Sequence, residues 1–211
     1  MLRISDITIK KIIAGEFEAE LPEVYELKRN IEHCPPWHVH DSTFNHTLSD
    51  LKHLEDIMRL ASPKIKSYLN ERIGKHTKGE LLILVALFHD ISKIDIIPEG
   101  GLYPQHEEKG SIKVRRILER FNISETEKEY VVRNIRYHGV IHRLLAKDGF
   151  SWERIEEFKR EYIQILPELI LFGMADLEGG QMREDDPNQY KFRMGVFKKI
   201  LKNSLIVEDK K

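Results

Sequence analysis

Glu80-Leu81-Leu82-Ile83-Leu84-Val85-Ala86-Leu87-Phe88-His89-Asp90 is the stretch on which the fold turns. It is apolar nearly all round from Leu81 to Phe88, then finishes on two ionisable groups. A segment apolar on every side belongs inside a core, as a central helix or as a buried strand. Leu81, Leu82, Leu84, Ala86 and Leu87 are not β-branched, and the neighbouring segments carry helical spacing, so helix is the reading. The run is only eight residues long, far too short to cross a bilayer.

Upstream, Phe44, Leu48, Leu51, Leu54 and Met58 recur at spacings of three and four. They give one apolar face to a helix that Ser42 or Thr43 can cap. Asp50, Lys52, Glu55 and Asp56 fall between them. Pro63 opens a short segment ending near Gly74. Ile7 to Ala14 reads as a short helix closed by Gly15, and Leu21 to Glu32 as a second, with Pro22 in its first turn. Between that helix and Ser42, His33 to Asp41 contains Pro35-Pro36 and reads as a loop.

Downstream, Ile91 to Gln105 carries Pro98, Gly100, Gly101 and Pro104 and reads as a loop over the end of the central helix. A helix resumes from His106 to Phe121, with Ile112, Ile117 and Leu118 expected inward. Ser124 and Glu127 have capping-box spacing for a helix running toward His138, with Val131, Val132 and Ile135 inward and an interruption at Gly139. Phe150-Ser151-Trp152 opens a further helical region. Pro167 is expected to kink the stretch leading to Asp176, which Gly179-Gly180 ends. Asp186-Pro187 precedes a last helix with Phe192, Val196, Ile200 and Leu201, and the tail from Glu208 is expected to fray. The fold class is therefore all-α, a helical bundle, and no linker or repeat divides residues 1–211.

Composition agrees with such a domain: 41% of the 211 residues are apolar and 33% charged. The 34 Lys and Arg nearly cancel the 35 Asp and Glu, so no overall basic field draws the chain onto nucleic acid or an anionic membrane. Cys34 is the only cysteine, which excludes an intrachain disulfide framework and a cysteine-rich zinc site. Met1-Leu2-Arg3-Ile4-Ser5-Asp6 does not read as a signal peptide, and the expected location is the cytoplasm.

An apolar run gives no structural reason to end on adjacent groups that are expensive to bury unpaired. His89-Asp90 either caps the helix in solvent or places an imidazole nitrogen and a carboxylate oxygen on one metal ion. His46 sits between Phe44 and Leu48, where it can point inward. Asp50, one turn later, either orients it or faces water. Asp176 follows the apolar stretch Leu166 to Met174. His106 begins a helix after a loop, and His138 ends one before Gly139. Each of these, taken singly, also suits a cap or a packed polar residue.

Together, His46, His89-Asp90 and Asp176 in that order resemble the HD-domain superfamily of metal-dependent phosphohydrolases. His46-Thr47-Leu48, His89-Asp90-Ile91-Ser92-Lys93 and His106-Glu107-Glu108-Lys109-Gly110 look like the HD module of tRNA nucleotidyltransferases and poly(A) polymerases. The ordered set with His106, His138 and Asp176 is also similar to small dinuclear HD hydrolases that cleave dinucleoside polyphosphates. The resemblance spans about Phe44 to Gly180. Ser92 stands where the commonest family form has glycine. No nucleotidyltransferase domain is recognisable before His46, so nucleotide polymerisation is not expected.

The resemblance implies that His46, His89, Asp90 and Asp176 bind a first metal, with His106 and His138 on a second and Asp90 bridging. Imidazole and carboxylate suit divalent iron, manganese, zinc or nickel, one ion or two. Metal-activated water would attack phosphorus, with Asp90 central and Lys93 one turn on, reaching a phosphate oxygen. Arg133, Arg136, Arg143 and His142 are further candidates for substrate contact, and His38 and His40 for the pocket border. The expected activity is hydrolysis of a nucleotide-like phosphate ester or anhydride. A 2',3'-cyclic phosphodiesterase or nucleotidase is the close alternative, and a noncatalytic nucleotide- or RNA-binding module the distant one. Lys109, Lys113, Arg115, Arg116 and Arg120 supply the charge that the last of these needs. An RNA terminus as partner and a homo-oligomer are left open, and no membrane is implied.

Overall fold

Each helix in the structure starts or stops where the sequence supplies a reason. In the computed structural model, which describes residues 1–146 and 149–204, α1 (Ile9–Ile13) and α2 (Pro22–Glu26) lead into strands β1 (Ile31–Cys34) and β2 (His38–Ser42). There follow α3 (Thr43–Leu60), α4 (Pro63–Leu69), α5 (Lys78–Phe88), α6 (His106–Ile117), α7 (Glu125–Tyr137) and α8 (Val140–Leu144). The described chain closes with α9 (Trp152–Glu161), α10 (Leu166–Gly179), α11 (Met182–Asp185) and α12 (Pro187–Ser204). It is an all-α bundle with one small hairpin.

Helix α5 is the central helix, as its apolar circumference requires: Leu81, Leu82, Leu84, Val85, Ala86, Leu87 and Phe88 are all buried. Thr77 caps it through a reciprocal box, its Oγ1 accepting from Glu80 N at 3.2 Å while Glu80 Oε2 accepts from Thr77 N at 2.7 Å. Ser42 caps α3 by accepting from Asn45 N. Ser124 and Glu127 form the expected capping box of α7. Helix α10 is nearly as apolar as α5, with Leu169, Ile170, Leu171, Phe172, Ala175 and Leu177 buried. It packs between α3 and α12, while α5 packs on α3 and α7. Among the described residues no helix is long and apolar enough to cross a membrane.

Four expectations need correction. The helix foreseen from Leu21 to Glu32 stops in a 3-10 turn at Leu27–Arg29, and the foreseen loop from His33 is a β-hairpin. The strands pair Ile31 with Ser42 and Cys34 with His38, with an irregularity at Glu32/His33. Their inward residues include Glu32 and His38, both buried, so the hairpin lacks the apolar alternation by which a strand is recognised. Pro167 does not kink a helix; it sits in the first turn of α10, where its missing N–H has no partner to lose. Ile112 faces solvent at 58% exposure. Glycine ends α7 as expected, and α8 restarts after Gly139. The tail from Glu208 lies outside the described residues.

Candidate metal centre

Five helix segments deliver ionisable side chains to one buried spot. Helix α3 brings His46 and, one turn on, Asp50. His89 and Asp90 follow the last residue of α5, His106 opens α6, His138 follows α7, and Asp176 sits on α10. All but His106 are buried, and His106 is nearly so. Ligand atoms of His46, Asp50, His89 and Asp176 lie within 4.8 Å of one another, as do those of Asp90, His106 and His138. Such a buried His/Asp group can hold a metal ion.

The two groups meet at Asp90. Its Oδ2 lies 3.0 Å from His89 Nε2 and 3.8 Å from His46 Nε2. Its Oδ1 lies 3.4 Å from His106 Nε2 and 3.9 Å from His138 Nε2. On the first side, His46 Nε2 is 3.1 Å from Asp176 Oδ1 and 3.2 Å from Asp50 Oδ2, and His89 Nε2 is 3.3 Å from Asp50 Oδ2. Asp50 thus faces the cluster directly rather than the outer nitrogen of His46.

Backbone carbonyls orient three of the imidazoles. His89 Nδ1 donates to Ala86 O at 3.0 Å, His106 Nδ1 to Tyr103 O at 2.8 Å and His138 Nδ1 to Ile135 O at 2.7 Å. With Nδ1 engaged by a carbonyl, Nε2 is the nitrogen that each ring turns inward and offers to a metal, the arrangement that metal-binding histidines use.

The residues fit a divalent metal on chemical grounds. His89 Nε2, Asp90 Oδ1 and both oxygens of Asp50 are buried without hydrogen-bond partners, a state that folded proteins rarely tolerate. Electrostatics points the same way. Burial would lower the His46 pKa, yet Asp50, Asp176 and Asp90 outweigh it and raise it to about 10. Burial, against the pull of His46, lifts Asp50 to about 8. Burial also raises Asp90 and Asp176, but neighbouring imidazoles, and Lys93 for Asp90, hold both well below the usual carboxylate range. Three crowded aspartates call for positive charge, which imidazolium protons and, at Asp90, the Lys93 ammonium supply in part and which a divalent cation would supply more fully. Burial and the neighbours His89 and His106 press His138 down to about 3, leaving it neutral and able to ligate.

A cavity of about 910 Å³ opens onto this centre, walled by the hairpin, the loop before α6, α8 and α12. Lys93 lies in its wall with its ammonium between two carboxylates, 2.7 Å from Asp90 Oδ2 and 2.7 Å from Glu32 Oε2. Glu32 also accepts from Thr43 Oγ1 at 2.6 Å. Arg136, His142 and Arg143 line the cavity too. Arg136 is 3.4 Å from Glu108, Arg143 is paired with Glu107, and His142 Nε2 is 3.1 Å from Asp176 Oδ2. Arg133 differs: it is not in the wall and donates to Gln164 Oε1 at 2.7 Å. The spacing that puts it on a side with Arg136 does not bring it to the cavity. His38 borders the cavity, whereas His40 is exposed and stacks on His33.

Sequence reading did not single out Glu32, Trp37 or Arg193, which also line the cavity. None sits in a motif. Only the Pro-Pro-Trp-His run around Trp37 hinted at a built turn.

No protein-family model matches the chain. It is similar to the bifunctional uridylyltransferase/uridylyl-removing enzyme of Legionella pneumophila. Identity to the strain Paris protein is 28% over 137 residues, covering 64% of this chain and 15% of that protein. Identity to the strain Corby protein is 31% over 105 residues, covering 48% and 11%. The chain therefore matches only a small fraction of the length of these relatives.

Proposed function

We propose that this chain is an HD-type, metal-dependent phosphohydrolase acting on a nucleotide-like phosphate ester or anhydride. The observation that carries the reading is Asp90, whose two oxygens face two separate histidine groups at 3.0–3.9 Å. A carboxylate forked in this way would help to hold an ion beside either histidine group. The similarity to a uridylyl-removing enzyme supports a nucleotide-linked substrate, since removing a uridylyl group breaks a bond at a nucleotide phosphate.

His46, His89, Asp176 and Asp50 would hold one ion, and His106 and His138 another, with Asp90 between them. When bound, iron, manganese, zinc or nickel supplies Lewis acidity and lowers the pKa of a ligated water. The protein supplies the rest. Backbone carbonyls fix the imidazoles before substrate arrives. Lys93, clamped by Asp90 and Glu32, keeps a positive charge at the cavity wall where negative charge gathers on phosphorus oxygens. At about 910 Å³ the cavity is large enough to take a nucleotide-sized body beside the phosphate.

Anaerobic purification with metal analysis tests the reading, coupled to phosphate-release assays on nucleotides, cyclic nucleotides and dinucleoside polyphosphates. The expected result is one or two ions per chain, chelator-sensitive turnover, and loss of both in His89→Ala. A chain that binds metal tightly yet releases phosphate from none of these substrates overturns the catalytic reading.

A further inference from the structure

Among the described residues four lysine and arginine side chains stand in the cavity wall, and one is unlike the others. Lys93, Arg136 and Arg143 each face a carboxylate. Arg193, on α12, has none close enough for an ion pair among the described residues. It is nevertheless only 4% exposed. A buried charge without an ion pair is costly, and such charges cluster at sites where a ligand completes them.

The guanidinium is held by uncharged contacts, with Asp176 and Asp186 acting on it from beyond ion-pair distance. Its Nη1 donates to His142 O at 3.0 Å, and its plane lies over the Trp37 ring, 4.8 Å from the centroid. Trp37 is seated by its own carbonyl, which accepts from Gln181 N at 2.8 Å. Its ring meets that of His142 edge to face at 4.9 Å. The Nε of Arg193 has no hydrogen-bond partner. Desolvation lowers the Arg193 pKa to about 10, with Asp176 and Asp186 opposing, so it stays charged at neutral pH. His142, whose backbone carbonyl accepts from Arg193, reaches Asp176 Oδ2 with its ring nitrogen at 3.1 Å. Arg193 therefore lies beside the metal centre on its Asp176 flank, contributed from outside the stretch that resembles HD enzymes.

We infer that Arg193 is an anion-recognition residue whose pre-set guanidinium binds a phosphate group of the substrate beside the metal centre. The inference rests on the phosphohydrolase reading and adds to it the residue that selects a phosphate-bearing substrate. A planar fork of N–H donors suits phosphate oxygens, and the Trp37 ring and the His142 carbonyl fix where it stands.

The test is titration of inorganic phosphate into the manganese-loaded chain by calorimetry, comparing wild type with Arg193→Gln and Arg193→Lys. Metal content and thermal midpoint are recorded for each. The expected result for Arg193→Gln is phosphate affinity reduced at least about tenfold with unchanged metal content, and KM for a phosphate ester rising with little change in kcat. Folded, metal-loaded Arg193→Gln that binds phosphate within twofold of wild type overturns the inference, leaving Arg193 a packing partner of Trp37. Should Arg193→Gln fail to fold, Arg193→Lys decides: a loss of threefold or more supports the guanidinium fork, and an unchanged affinity overturns it. Wild type that takes up no metal sinks the phosphohydrolase reading instead. Phosphate titration of the metal-free chain then decides the anion site, with tenfold weakening in Arg193→Gln upholding it and no binding by wild type ending it.

Discussion

Asp90 and Asp50 carry the same functional group and have very different legibility. Asp90 ends an apolar helix beside a histidine, a position that narrows it to a solvated cap or a metal ligand and so marks it for attention. Asp50 sits among Ser49, Lys52 and Asp56 on an amphipathic helix, and one position i+4 from His46 does not say which way it turns. Only packing against α10 settles that it is buried with both oxygens unpartnered. Arg193 and Glu32 left no trace at all, because a single charged residue in a polar stretch looks solvated until the chain folds over it. On the proposed reading, Asp90→Asn keeps the shape and removes the charge shared by both histidine groups. Activity should fall by at least about 100-fold and bound metal should drop, since even residues supporting metal ligands cost about 10–100-fold. Asp50→Asn should weaken metal binding by about 10–100-fold in a competition titration with chelator. Unchanged metal affinity in Asp50→Asn would relegate that carboxylate to a spectator.

Elements were read well wherever apolar periodicity or a cap marked them, as in α3, α5, α7 and α12, and poorly where function dictated the inward residues. The hairpin was invisible because it turns Glu32 and His38 inward, reversing the pattern that identifies strands. Glycines within helices divide in the same way. A Cβ on Gly179 would lie 1.7 Å from Asp50 Oδ1, whereas one on Gly195 would meet nothing within 4 Å. Gly179→Ala should therefore destabilise by about 1–3 kcal/mol through overpacking and displace Asp50, lowering metal content as well. Gly195→Ala, exposed in the interior of α12, should stabilise by about 0.5–1 kcal/mol. Thermal midpoints of the two variants measure both effects, and shifts of the same sign would contradict this account. The start of α7 gives a pH test. Glu127 accepts from Ser124 N at 2.6 Å, His76 N at 2.7 Å and His76 Nδ1 at 2.9 Å. Burial opposes these bonds, yet they lower its pKa from 4.5 to about 2. A depressed carboxylate pKa stabilises the fold fully above its unfolded value and progressively less as pH falls through the folded one. The stability gap between wild type and Glu127→Gln should thus be constant above pH 4.5 and shrink toward about 2. Denaturant titrations across that range would expose a gap that does not move.

At the scale of the molecule, the centre is a place where helix ends from residues 46 to 176 converge. Sequence order and family resemblance named most of the participants, but periodicity cannot bring together residues so far apart in the chain. What periodicity could show is that two helices, α5 and α10, are too apolar to be anywhere but inside, and each ends by presenting an acid to the same spot. That arrangement has a thermodynamic consequence. Without metal, Asp50, Asp90 and Asp176 crowd together in the interior, and their repulsion opposes folding. A divalent ion that binds only the folded chain relieves it and adds binding free energy to stability, about 2.7 kcal/mol when free metal is 100 times its dissociation constant. For a chain of this size each kcal/mol moves the thermal midpoint by about 2–4 °C, so saturating metal should raise it by roughly 5–11 °C. The shift should vanish in His89→Ala and persist in Arg193→Gln, whose side chain is not among the proposed ligands. Scanning calorimetry with and without metal separates the two variants, and a midpoint in wild type indifferent to every divalent ion offered would show that the buried acids are balanced by protons and Lys93 without a metal.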